Sequence, residues 1–189
     1  MVDKGVCVEI ELARHDWAGL RSFADSTALP DAIRALVGAT DKESARSAYW
    51  CIDNVALLDG CLTQSAAAVT STVVQALSRL STPSLAYALE LLAQISGGYV
   101  HEPAEQGLGP ISVEECVREI SLTFPFLCEL LETSSNSQIR ASCVDLITAC
   151  GRYERALKER ARHVLSSALE LPEMQSHREL IVNSLRDLE

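Results

Sequence analysis

Two aromatic rings, a carboxylate and an amide fall close together at Tyr49, Trp50, Asp53 and Asn54. Large rigid side chains with polar tips dominate the energetics of protein interfaces, so this group has the chemistry of a binding hot spot. Its plainer role is a core tyrosine beside a solvated acid. Glu90 and Asp145 stand at matching places in Ala88-Leu89-Glu90-Leu91-Leu92-Ala93 and Cys143-Val144-Asp145-Leu146-Ile147-Thr148. Acids repeated on inner helices would line a groove. A third acidic group, Glu102, Glu105, Glu114, Glu115 and Glu119, surrounds the longest connection in the chain and would steer a basic partner towards it. Glu114 and Glu115 equally suit a helix start, where the dipole favours negative charge.

No reactive centre assembles by spacing. Gly107 and Gly109 lack the Gly-Lys-Ser/Thr of a phosphate-cradling loop, and neither GxSxG nor HExxH occurs. The cysteines (Cys7, Cys51, Cys61, Cys116, Cys128, Cys143, Cys150) form no CxxC pair, and His15, His101, His163 and His177 are scattered, so zinc is not expected. In apolar helical patterns such thiols act as small core hydrophobes. The expectation is a non-enzyme with no catalytic residues, metal or cofactor.

The formal charge of −10 over 189 residues repels nucleic acid and anionic lipid and favours basic partners. Against that trend, Arg152, Arg155 and Arg162 recur on one side of a helical stretch near Lys158 and Arg160, where a basic stripe could grip phosphates. Glu154 and Glu159 dilute it. No apolar run reaches the ~18 residues a membrane-spanning helix needs, and the Met1 to Leu12 segment does not read as a signal peptide. A cytoplasmic protein is expected.

These residues need elements to hold them. At 48% hydrophobic the chain supports a folded core, and from about Asp41 it alternates amphipathic helices with short breaks. Residues 1–12 fit either a strand-like alternation or a helical face (Val6, Ile10, Ala13, Trp17), and are read as an N-terminal cap or extension. A helix is expected around Trp17, Leu20 and Ala24, and a short one after Pro30 that ends at Gly38. Thr40-Asp41-Lys42-Glu43 reads as a capping box, and the helix after it stops near Asp59-Gly60. A second helix from Ser65 to Leu80 returns against it, and a third, apolar almost all round, runs from Ser84 to Ile95. Residues 99–111 are a long acidic loop. Ser112 caps the next helix, which Pro125 kinks or splits. Further helices follow, one closed by Gly151, one over Tyr153 to Leu171, and one beyond Pro172.

The order Trp17-x-x-Leu20, Leu29-Pro30-x-Ala32-Ile33-x-Ala35-Leu36, Asp41 before Ala45-Arg46 and Ala48, Gly60-x-Leu62-x-x-Ser65-Ala66, and Leu89-Glu90-Leu91-Leu92-Ala93-Gln94-Ile95 before Gly97-Gly98 resembles bacterial HEAT-repeat (armadillo-like) proteins, over roughly Trp17 to Gly151. The resemblance implies one all-α domain over 1–189, a right-handed α-solenoid of about three stacked helix pairs behind an N-terminal helical cap. It also implies a binding role, since some similar proteins are immunity proteins that neutralise a toxin. Tyr49, Trp50, Asp53, Asn54, Glu90, Glu102, Glu105 and Asp145 are the expected partner-binding residues, facing a basic toxin or effector. The alternatives are a nucleic-acid-binding HEAT domain and a structural scaffold subunit. The long loop and Pro125 depart from regular stacking.

Overall fold

Side-chain caps and prolines set many of the helix boundaries in the computed structural model, which describes residues 6–100 and 110–189. Over those residues the fold is all-helical. Its ten α-helices are α1 (Val6–Arg14), α2 (Leu29–Gly38), α3 (Lys42–Ala56), α4 (Ser65–Ala76), α5 (Thr82–Ser96), α6 (Val113–Ser121), α7 (Phe124–Thr133), α8 (Ser137–Tyr153), α9 (Lys158–Ala168) and α10 (Arg178–Asp187). Backbone N–H groups left over at the helix starts find side-chain acceptors. Asp41 accepts from Ser44 N at 2.9 Å, Ser112 from Glu115 N at 3.4 Å, and Asn136 from Gln138 N at 2.9 Å. Ser81 caps α5, and Pro30, Pro83 and Pro125 occupy first turns. The cap of α3 is therefore Asp41 rather than Thr40, one residue later than the capping-box pattern suggests. Pro125 separates α6 from α7 as a helix start.

Several stretches differ from their sequence patterns. The N-terminal segment is helical from Val6 and buries Val8 and Leu12 while leaving Ile10 65% exposed, so the anticipated face through Ile10 is the outer one. Trp17 begins only a short 3-10 turn, Trp17–Gly19, its indole N–H donating to the Leu12 carbonyl at 2.8 Å. After α3 the chain forms a small antiparallel hairpin, β1 (Leu57–Leu58) and β2 (Cys61–Leu62). Asp59 and Gly60 both have positive φ (50° and 79°), the conformation a tight two-residue hairpin turn requires. Tyr99 adds to this hairpin through its N–H to the Gly60 carbonyl and its carbonyl to Leu62 N, both 2.9 Å.

Gly151, expected to close a helix, lies inside α8. A Cβ there would come within 2.7 Å of the Ala161 Cβ and 2.9 Å of Leu188 Cδ2, so α9 and the end of α10 approach α8 only because this residue has no side chain. The helix expected from Tyr153 is accordingly α9, starting at Lys158 behind a 3-10 turn.

The packing follows a simple order. α3 packs on α5, α5 on α8 and α8 on α10, while α1 packs on α4 and α4 on α6. The first series runs parallel. Tyr49 in α3 stands 5.7 Å, ring to ring, from Tyr87 in α5, and the chain just after each of these helices meets at the Gly60–Tyr99 pairing. Gln138 at the start of α8 donates to Glu90, 48 residues earlier. His177 just before α10 lies 3.1 Å from Ser137, 40 residues earlier, and Gly151 meets Leu188 at the other end of those two helices. Between the layers, Leu89, Leu91, Leu92, Ile95, Ile120, Leu146 and Ile147 are fully buried, which supplies the hydrophobic stabilisation of the fold.

Candidate acidic face

Each of the four parallel helices carries one carboxylate towards a common side: Asp53 on α3, Glu90 on α5, Asp145 on α8 and Asp187 on α10. The links between them are direct. Asp53 accepts from the Tyr49 hydroxyl at 3.4 Å and feels the charge of Glu90. Glu90 accepts from Gln138. Gln138 and Asp145, seven apart, share one face of α8, and Asp145 and Asp187 line the same cleft. None of the four carboxylates takes part in an ion pair among the described residues.

The aromatic group has a layered arrangement. Tyr49 is 5% exposed and packs on Tyr87, whereas Trp50 is 51% exposed and stands edge-on to Tyr49, ring centroids 5.1 Å apart and planes at 77°. Burial first, then the charges of Asp53 and Glu90, raise the Tyr49 phenol above its usual range. Tyr49 is thus a fixed support with its hydroxyl on Asp53, and Trp50 is the ring open to solvent. Asn54 is exposed beside Trp50, in a shallow depression with Glu43, Arg46, Ser47 and Cys51.

Desolvation lifts the Asp53 carboxyl above the ordinary aspartate value, opposed by the Tyr49 hydrogen bond and reinforced by Glu90. Asp145 is raised by desolvation alone. Its side chain reaches solvent even so, which makes the surrounding helix walls rather than full burial the source of the shift. These walls enclose a cleft of about 360 Å³ where the end of α5 meets α8 and α10, with Gln94, Gly97, Asp145, Thr148, Arg152, Asn183, Ser184 and Asp187 at its surface.

No protein-family model matches this chain, and no curated protein does either. The structure is the guide to the site.

The structure brings Tyr49, Trp50, Asp53, Asn54, Glu90 and Asp145 onto the consecutive helices α3, α5 and α8. Glu102 and Glu105 lie outside the described residues. Asp187 was missed by sequence reasoning because the last helix does not repeat the apolar-acidic pattern around Glu90 and Asp145. Its only signal is its place at the end of an amphipathic segment. The arginines do not form the expected stripe: Arg152 belongs to α8, Arg155 to the intervening 3-10 turn and Arg162 to α9, where it lies 3.6 Å from Glu159. Arg160 is instead placed over the Phe124 ring, 5.4 Å from its centroid.

A second polar group, also missed, joins α1 to α4. His15 Nε2 lies 3.0 Å from Ser71 Oγ and 3.3 Å from Glu11 Oε1. Both contacts use the same ring nitrogen, so the acid does not orient the imidazole from its far side as a serine-activating triad requires. Desolvation and then Arg14 depress the His15 pKa, against the pull of Glu11. The imidazole is a tether between helices.

Among the cysteines, Cys61, Cys116, Cys143 and Cys150 are buried, Cys128 is half-buried, and Cys7 and Cys51 are exposed. Burial pushes the Cys116 and Cys150 thiols up to about 11 and Cys143 to about 12, which removes the thiolate that nucleophilic or metal chemistry uses. Among the described residues no three His, Cys, Asp or Glu side chains gather in a way that could hold a metal ion, and no helix is long and apolar enough to cross a membrane.

Proposed function

We propose that this chain is a HEAT-like stack of helix pairs acting as a non-catalytic protein-binding module, of the immunity or sequestering kind, for a basic toxin or effector. The observation that carries the reading is the row of unpaired carboxylates, one on each of four parallel helices, beside the half-exposed Trp50. Like charges held on neighbouring helices gain from an opposite charge supplied in trans, which speeds encounter and selects the partner. The parallel succession α3, α5, α8 and α10, with related contacts recurring at spacings of 40 and 48 residues, is the pattern a helical repeat produces. In this reading α3, α5, α8 and α10 are the inner helices, and the right-handed superhelix and cytoplasmic setting belong to the same proposal. The basic residues Arg152, Arg155 and Arg162 fall on three successive elements rather than one helix, and no specific observation favours the nucleic-acid or the purely structural alternative.

The test is co-purification from the native host with mass spectrometry, using the wild-type chain and a Trp50→Ala/Asp53→Ala variant. A basic protein is expected, retained less well as salt rises. Its affinity for the variant should fall by about 30-fold or more, since a single hot spot contributes ~2 kcal/mol or more. An immunity role further predicts that the partner arrests growth when expressed without this chain. Unchanged capture by a folded variant, or a partner of acidic charge, would overturn the reading.

A further inference from the structure

We draw no further inference here: the strongest candidate, the buried Arg140 side chain at the start of α8, whose Nε has no hydrogen-bond partner among the described residues, donates from Nη2 to the Glu132 carbonyl in the last turn of α7 at 3.4 Å and keeps that Nε sealed from solvent, so nothing in the structure shows a ligand for it.

Discussion

The α1 edge and the face built by α3, α5, α8 and α10 treat charge in opposite ways. On the α1 edge Arg34 grips both oxygens of Glu9 at 2.8 Å and reaches Asp31 at 2.9 Å, and Glu11 holds Arg14 and lies beside His15. On the other face Asp53, Glu90, Asp145 and Asp187 have no cation within ion-pair distance among the described residues. The pairs at the edge join side chains within or just after α1, within α2, or bridge α1 to α2, so they do local structural work, worth at most ~1 kcal/mol each where exposed. Of these acids, Asp53 and Glu90 accept neutral hydrogen bonds from Tyr49 and Gln138 instead. Asp53 and Asp145 are held above the ordinary aspartate value by desolvation, so their ionisation opposes folding slightly.

The strongest way to break this contrast is mechanical. Gly151→Val places three carbons where Ala161 and Leu188 already stand, forcing α9 and α10 away from α8 at a cost of about 2–3 kcal/mol. Hydrogen exchange should show α8 to α10 losing protection while α1 to α4 keep theirs. Uniform loss of protection would mean that the two regions are one cooperative unit.

Glu11→Gln is the next largest perturbation and probes the paired edge. Burial pushes the Glu11 carboxyl up, but the bonds from Arg14 and Ser71 and the charges of Arg14 and His15 outweigh it, and the net shift is downward. A depressed carboxyl contributes stability above its unfolded value of 4.5 and loses it as pH falls through its folded value. The substitution should therefore lower stability at pH 7 by about 0.5–1 kcal/mol, and the gap between wild type and variant should close in acid. Melting curves at both pH values measure it.

How far these two regions could be read from the chain follows from the range of the interactions that make them. Helices carried by long amphipathic patterns, such as α3, α5 and α8, are written locally in their apolar spacing and caps. So are Asp53, Glu90 and Asp145, because each sits on such a helix beside its apolar stripe. Asp59-Gly60 reads locally as a helix stop, and the hairpin it forms goes unread because strands of two residues are too short for an alternating pattern to register. Gly151 misled because glycine ends helices by its own flexibility and permits close packing only through residues distant in sequence, here Ala161 and Leu188. The Glu11–His15–Ser71 tether and the cleft around Ser184 are products of tertiary contact. No local pattern in α1 names Ser71, and none in α10 names Gln94 or Asp145.

The smallest effect is the most discriminating, because it reverses sign across the comparison. Asp145 is raised by desolvation and has no compensating partner. The folded chain therefore holds its proton more readily than the unfolded chain does, and ionisation at neutral pH works against folding. Replacing it by asparagine removes a charge just as Glu11→Gln does, yet here the fold should gain. Because the side chain reaches solvent, screening keeps the gain small, a rise in Tm of about 1 °C at pH 7, equivalent to a few tenths of a kcal/mol. Below the unfolded aspartate value of 3.8 both states are protonated and the gain should vanish. Scanning calorimetry of the two single variants at pH 7 and pH 3 decides the matter. Opposite signs at pH 7 that converge in acid are the expected result, whereas a loss of stability in Asp145→Asn would mean that Asp145 has a structural partner and that the contrast between the two regions is false.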